Sequence, residues 1–368
     1  MSFKNSVMFS DRSSSRLRFV HKAASFTLAA LLLFTSVPYA FAQEITVSTT
    51  EAQDTQSIDS AQSSEANESS LQPQGDQVMA LSGGSVGQQG GSLYVSDSGI
   101  LSGAPDVNAQ TGAYTYAHPI AIPSGRNDLA PDIALNYNSN NREPNSLFGY
   151  GWSVPMQQIY RLNKTGIADL YSSNDFYSEL DGELVTSNGT DFVAEFDKGD
   201  FRSYEFDGDQ WLMFDKAGTR YSFGSTSASQ FVDTSSSSRV FAWYLDEIRD
   251  TNDNYIKFIY HKDNGRLYPN TVVYTGRGTT DGVYTINFIR EARPDTQVSF
   301  TPGFVSTTTQ RISEIRVDVN GSWVRKYELD YTLGENGNRS LLASITESGN
   351  GHGGIVTLPA TTFAYSNI

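Results

Sequence analysis

Serine, carboxylate, imidazole and indole groups are the side chains through which this chain could do chemistry, and each sits in a context that limits it. Gly83-Gly84-Ser85-Val86-Gly87 has the spacing of a serine nucleophile elbow. That motif activates its hydroxyl only on a strained turn between a strand and a helix, and here it lies in a polar, glycine-rich stretch. Asp250-Thr251-Asn252-Asp253-Asn254 offers oxygens at the spacing of a calcium loop. The glycine required at the sixth loop position is replaced by Tyr255, and the bidentate glutamate at the twelfth by His261. A polar hairpin turn is therefore expected there rather than a metal site. His118, His261 and His352 are far apart and show no ligand spacing. His118 alternates with Tyr116 and Ile120 on a strand face, which suits a hydrogen-bonded structural histidine. Trp211, Trp243 and Trp323 could stack on sugars, but each sits in a strand-like context that suits a core. With no cysteine in the chain, thiol catalysis, disulfides and thiolate metal sites are excluded. No catalytic residue, cofactor site or metal site is expected. A paired-carboxylate hydrolase site stays open, because sequence spacing does not reveal spatial pairs of Asp and Glu.

The elements that would position these groups are strands. Apolar residues recur with period two at Ile133, Leu135 and Tyr137, at Tyr284, Ile286 and Phe288, at Ile315, Val317 and Val319, and at Tyr327, Leu329 and Tyr331. Each run reads as a strand with one buried face. Asp181-Gly182, Asn188-Gly189, Asp207-Gly208, Asn264-Gly265 and Asn320-Gly321 punctuate them. The last pair is the best hairpin signal, since Asn-Gly accepts the positive φ angles of a tight turn. Pro119, Pro123 and Pro131 cannot donate to a central ladder and mark strand ends. No amphipathic helix follows Gln43. The expected fold is all-β, an antiparallel sheet shell or sandwich-like module.

Composition divides the chain into three parts. Residues 1–42 read as a Sec signal peptide: basic residues up to Lys22, an apolar stretch from Ala23 to Val37, and Ala40-Phe41-Ala42 before a cleavage site at Gln43. Residues 43–92 read as a disordered acidic linker, because Gln43 to Gly91 contains no aromatic residue and no Lys or Arg. Residues 93–368 form the β module. The whole chain carries 26 Lys+Arg and 41 Asp+Glu, a net charge of −15. Removing the first 42 residues takes away five positive charges and one negative, leaving about −19. Such a surface repels phosphate backbones and anionic lipid, so no nucleic acid partner is expected, and no second apolar run would span a membrane. Export to the extracellular space, with the periplasm as intermediate, follows from the leader.

The stretch from Thr111 to Arg161 carries a resemblance. It reads Thr111-Gly112-Ala113-Tyr114, then Pro119 to Arg126 with Gly125, Leu129-Ala130-Pro131, Ile133 to Ser139 around Tyr137, and Leu147-Phe148-Gly149-Tyr150-Gly151-Trp152-Ser153. Leu180 to Val185, Trp211 to Gly224, Trp243 to Tyr260, Arg293-Pro294-Asp295 and Leu358 to Tyr365 continue it. This pattern resembles the N-terminal part of the SpvB and Tc-toxin B-subunit family and, more distantly, Rhs/YD-repeat proteins. The family usually has glycine at position 253, where this chain has Asp, so that turn is expected to differ in detail. The residues carrying the likeness, Gly112, Gly125, Arg126, Pro131, Tyr137, Gly149, Gly151 and Trp152, are structural in kind. Gly149 and Gly151 are expected to let the backbone bend beneath the Trp152 indole. SpvB also carries an ADP-ribosyltransferase in a separate domain that needs a Glu-x-Glu turn, which is missing after residue 42 here. The resemblance implies a non-enzymatic scaffold module of a secreted toxin or virulence protein, with toxin-complex subunits or a downstream-encoded propeller component as partners. An extracellular carbohydrate-binding or adhesin domain is the alternative from another class.

Overall fold

A computed structural model describes residues 105–335 and 338–365 in full and Ile45–Ser48 as backbone. Among the described residues every regular element is a strand except one 3-10 turn, Ser227–Ser229. The all-β, antiparallel expectation holds. The first strand, β1 (Ile45–Ser48), lies inside the segment read as linker. The rest of the linker, the leader and the Gly83–Gly87 motif fall outside the described residues.

Two sheets build the fold. The smaller contains β2 (Asp106–Val107), β3 (Tyr114–Pro119), β4 (Ala134–Asn138) and β5 (Trp152–Ser153) in that order. The larger begins with β6 (Gln158–Arg161), β7 (Phe176–Ser178), β8 (Gly182–Thr186), β9 (Asp191–Ala194), β10 (Ser203–Phe206), β11 (Trp211–Phe214) and β12 (Arg220–Phe223). After β13 (Gln230–Asp233) comes the long β14 (Ser236–Arg249). Each of β6 to β11 pairs antiparallel with the next. β14 then closes the ring by pairing with β12 through Leu245–Arg249 and with β6 through Ala242–Tyr244. The result is a closed eight-stranded barrel, which removes the free edges an open sheet would leave.

The barrel is too small to be hollow, and aromatic side chains fill it. Phe176 stands 4.9 Å from Trp211 and 5.6 Å from Phe192 between ring centroids, and Phe206 lies 4.5 Å from Trp211. Trp243 joins them at 5.2 Å from Phe206 and donates its indole N–H to the Asp209 carbonyl at 2.6 Å. Because β14 belongs to the barrel and also starts the long meander of the same sheet, it is covered on both faces from Ala242 to Leu245. That burial explains its continuous apolar run, in place of alternation.

From β14 the chain meanders through β15 (Asn254–Asp263), β16 (Arg266–Arg277), β17 (Tyr284–Ser299), β18 (Ser306–Val319), β19 (Ser322–Leu333) and β20 (Ser340–Gly351). β20 pairs with both β21 (Gly354–Thr357) and β22 (Thr361–Tyr365), and β1 pairs with β22. Asn264-Gly265 and Asn320-Gly321 take φ values of 48° and 69°, and of 50° and 77°, as two-residue hairpin turns require. Pro119 ends β3, whereas Pro269 and Pro294 lie inside long strands. Both interior prolines sit at irregularities: Pro269 opposite Tyr260 where the register shifts, and Pro294 inside the gap between Ala292 and Gln297. A bulge spares the missing N–H a ladder position.

Candidate functional site

Four of the residues singled out by sequence meet where the small sheet packs on the meander. Trp152 is fully buried and pairs in register with Tyr137. Its ring lies 4.7 Å from Phe363 and 5.4 Å from Tyr137, and its N–H donates to the Tyr365 hydroxyl at 2.8 Å. Tyr365 in turn donates to the Leu342 carbonyl at 2.8 Å. Both polar tips of this aromatic cluster are thus satisfied, which is what permits them to be buried.

Gly149 and Gly151 have φ values of 94° and 84°, a region costly for other residues. A Cβ on Gly151 would lie 2.5 Å from the Tyr137 ring, and one on Gly149 would lie 3.0 Å from the Leu342 amide. Gly151 makes a tight approach to Tyr137, and Gly149 one to β20.

Beside this corner sits a buried ion pair. Arg293 and Asp295 point the same way across the bulge of β17, with Arg293 Nε and Nη2 donating to the two carboxylate oxygens at 3.1 and 2.9 Å. Both side chains are 2% exposed. Asp295 also accepts from the Ser340 amide at 2.7 Å and from its hydroxyl, while Arg293 Nη1 donates to the Ser146 carbonyl at 3.0 Å. The Tyr150 amide donates to the Ser340 carbonyl at 2.9 Å, so the corner and the ion pair form one network. Burial pushes the Asp295 carboxyl up, but the bonds from Arg293 and Ser340 outweigh it and hold the group down at about 2. Removing either partner would leave a buried charge unpaired, at about 3–5 kcal/mol. Sequence reasoning noted Arg293-Pro294-Asp295 only as part of the resemblance. Opposite charges two apart on a strand share a face, and that signal could have identified the pair; Ser340 and Tyr365 carry no such mark.

The remaining motif residues lie elsewhere. Gly112 sits in the exposed turn that its amide closes on the Asn108 carbonyl at 2.8 Å. Gly125 is held against Leu129, whose carbonyl oxygen a Cβ would meet at 1.9 Å. Arg126 is exposed beside it, and Pro131 is buried in the approach to β4.

The groups with chemical potential are largely engaged in the fold. The Asp250–Asn254 segment is a hairpin turn, in which the Asp250 carboxylate accepts from the Asn252 and Asn254 amides, each at 2.8 Å, and from the Asn254 side chain at 2.7 Å. Asp253 takes φ 65°. Among the described residues no group of three or more His, Asp or Glu is placed to hold a metal. Trp211 and Trp243 are buried, and Trp323 is partly covered with Lys326 over its ring at 5.8 Å. His118 shares a hydrogen bond of 3.1 Å with the Tyr116 hydroxyl and meets the Tyr327 ring edge-on at 5.9 Å. Burial lowers its imidazole to about 4. Desolvation raises the carboxyls of buried Asp246 and of the more exposed Glu179, as it would for a general acid. Neither lines the two polar clefts, of about 460 and 470 Å³, where Asp215 with Asp250, and His261 with Arg290 and Glu291, reach solvent.

A family model described as SpvB, Salmonella virulence plasmid 65kDa B protein, matches residues 108–206 and 200–285. No curated protein matches the chain. Among solved structures, TcdB2-TccC3 superposes with a TM-score of 0.62 at 19% identity, over 72% of this chain and 17% of that one. The Photorhabdus luminescens Tc holotoxin pore gives 0.61 at 18% identity, over 73% of this chain and 16% of that one. The N-terminal domain of the effector SpvB from Salmonella typhimurium strain LT2 gives 0.53 at 18% identity, over 66% of this chain and 98% of the domain. The chain thus spans about a sixth of the Tc chains and nearly all of the SpvB domain. Residues 108–285 match the SpvB family model, and the chain shares its all-β fold with the Tc-toxin structures and the SpvB N-terminal domain.

Proposed function

We propose that the chain is a non-enzymatic structural module of an exported toxin or virulence assembly, acting through protein contacts rather than turnover. The observation that carries this reading is the likeness itself: the same fold occurs as a small part of much longer Tc-toxin chains. The fate of the reactive groups supports it. Arg293 and Asp295 brace the Trp152 corner, Asp250 closes a turn, and His118 faces a neighbouring ring. The partners are toxin-complex subunits or a separately encoded propeller component, met after Sec-dependent export. The carbohydrate-binding alternative loses two of its three platforms, because Trp211 and Trp243 lie inside the barrel. Against the hydrolase alternative, the raised carboxyls of Asp246 and Glu179 line neither of the two polar clefts among the described residues.

The test pairs two measurements on the purified protein. Incubation with actin and labelled NAD gives no labelled product, and co-expression with the products of adjacent genes gives a complex that survives size-exclusion chromatography. Labelled actin, or a protein that stays monomeric beside every neighbouring product, overturns the proposal.

A further inference from the structure

Phe201 stands apart among the described residues. Eight residues other than glycine have positive φ: Asn127, Asp128, Phe201, Asp253, Asn264, Thr275, Asn320 and Asn338. Six are Asn or Asp, the types whose short polar side chains tolerate that region. Phe201, at φ 52°, is the only aromatic, and a bulky residue there is a true backbone outlier. Burial gives it no compensation, since its side chain is 71% exposed. The fold would be served better by Asn or Gly.

The loop that presents it is built to stay fixed. The Asp197 carboxylate accepts from the amides of Gly199, Asp200 and Phe201 at 2.8, 3.1 and 3.4 Å, closing the loop between β9 and β10. Arg202 anchors the loop's end to Asp181 at 2.5 Å and to Asp200 at 3.1 Å. Phe196, in the same loop, is 75% exposed. On the hairpin leading into it Val185 and Val193 form an exposed cross-strand pair. Around this apolar tip stand Glu195, Asp197, Asp200 and Glu205, against Lys198 and the already paired Arg202.

Strain held at an exposed aromatic, on a preformed loop, is a cost that binding can recover. We infer that the β9–β10 loop is a docking surface, with Phe201 and Phe196 as anchors, for a protein partner that presents an apolar pocket ringed by Lys and Arg. The acidic rim selects the charge of that ring. It also opposes a second copy of this chain, whose matching loop carries the same sign, and an anionic membrane. The inference deepens the proposed assembly role and rests on the chain acting through protein contacts.

The probe is a phage-displayed peptide library selected on the immobilised protein, with Phe201→Asn and Phe196→Asn/Phe201→Asn as comparisons. Selected peptides should combine an aromatic or branched aliphatic residue with Lys or Arg, and should bind more weakly as salt rises. They should lose about tenfold or more in affinity for Phe201→Asn, as expected for an anchor residue. Phe201→Asn should melt no lower than the unaltered protein, because Asn suits the local φ. A drop of several degrees would make Phe201 a structural residue and overturn the inference. So would a selection that yields no binders, peptides indifferent to the double variant, or self-association that Phe201→Asn abolishes. A co-purifying complex unaffected by Phe201→Asn would refute this surface and leave the assembly proposal standing.

Discussion

Trp152 connects three regions distant in sequence: its own corner, Tyr137 in β4 and the Phe363–Tyr365 segment in β22. Truncating it removes the ring contacts and leaves the Tyr365 hydroxyl without its indole donor. Trp152→Ala should therefore cost about 3–5 kcal/mol in denaturant unfolding, the range for a large buried aromatic. An unchanged unfolding midpoint would contradict the packing described for the corner. At this scale the sequence was partly legible. The Gly-Tyr-Gly-Trp pattern announced a tight corner around an indole, because glycine and tryptophan in alternation have few other uses. It could not say that Tyr137 fills the space beside Gly151, since that contact is set by the β4–β5 register.

Between elements, His118 is the titratable contact of β3 with β19. In the folded protein its imidazole is lowered to about 4 by burial, against an ordinary value of 6.5. Above 6.5 the group is neutral in both states and contributes nothing to pH dependence. As pH falls below 6.5 the unfolded chain takes up a proton that the fold refuses, and stability drops until about pH 4, by roughly 3 kcal/mol in all. His118→Gln should remove that part of the slope, read as the difference between the two proteins' stabilities across pH 4 to 7. Equal slopes would show that the ring is solvated. The strands themselves were readable from period-two alternation and from Asn-Gly turns. The closure of β6 on β14 was not: Tyr160 pairs with Ala242 across most of the barrel's sequence, and no local propensity encodes such a distant partner.

For the molecule as a whole, the leader's Ala40-Phe41-Ala42 pattern predicts a secreted form beginning at Gln43. Intact-mass measurement of periplasmic or culture-fluid protein checks it, and a membrane-retained chain beginning at Met1 would contradict it. Cleavage there keeps β1, two residues downstream. The stretch was read as linker because it lacks aromatic anchors and basic residues, criteria that track the ability to build a core. A four-residue edge strand needs no core of its own. It borrows backbone partners from a sheet already formed, so composition does not reveal it.

That pairing has a topological consequence. Ile45 lies opposite Tyr365 and Ser48 opposite Thr362, so the first and last strands of the described fold are neighbours. The first and last strands of the described fold thus have their outer ends, Ile45 and Tyr365, at one place. A fold whose doorway and exit coincide can be spliced into a host chain as a cassette, with the flanking sequences meeting each other rather than straddling it. The same geometry permits circular permutation: joining the two ends and opening the chain at the Asn320-Gly321 turn would preserve every strand pairing described above.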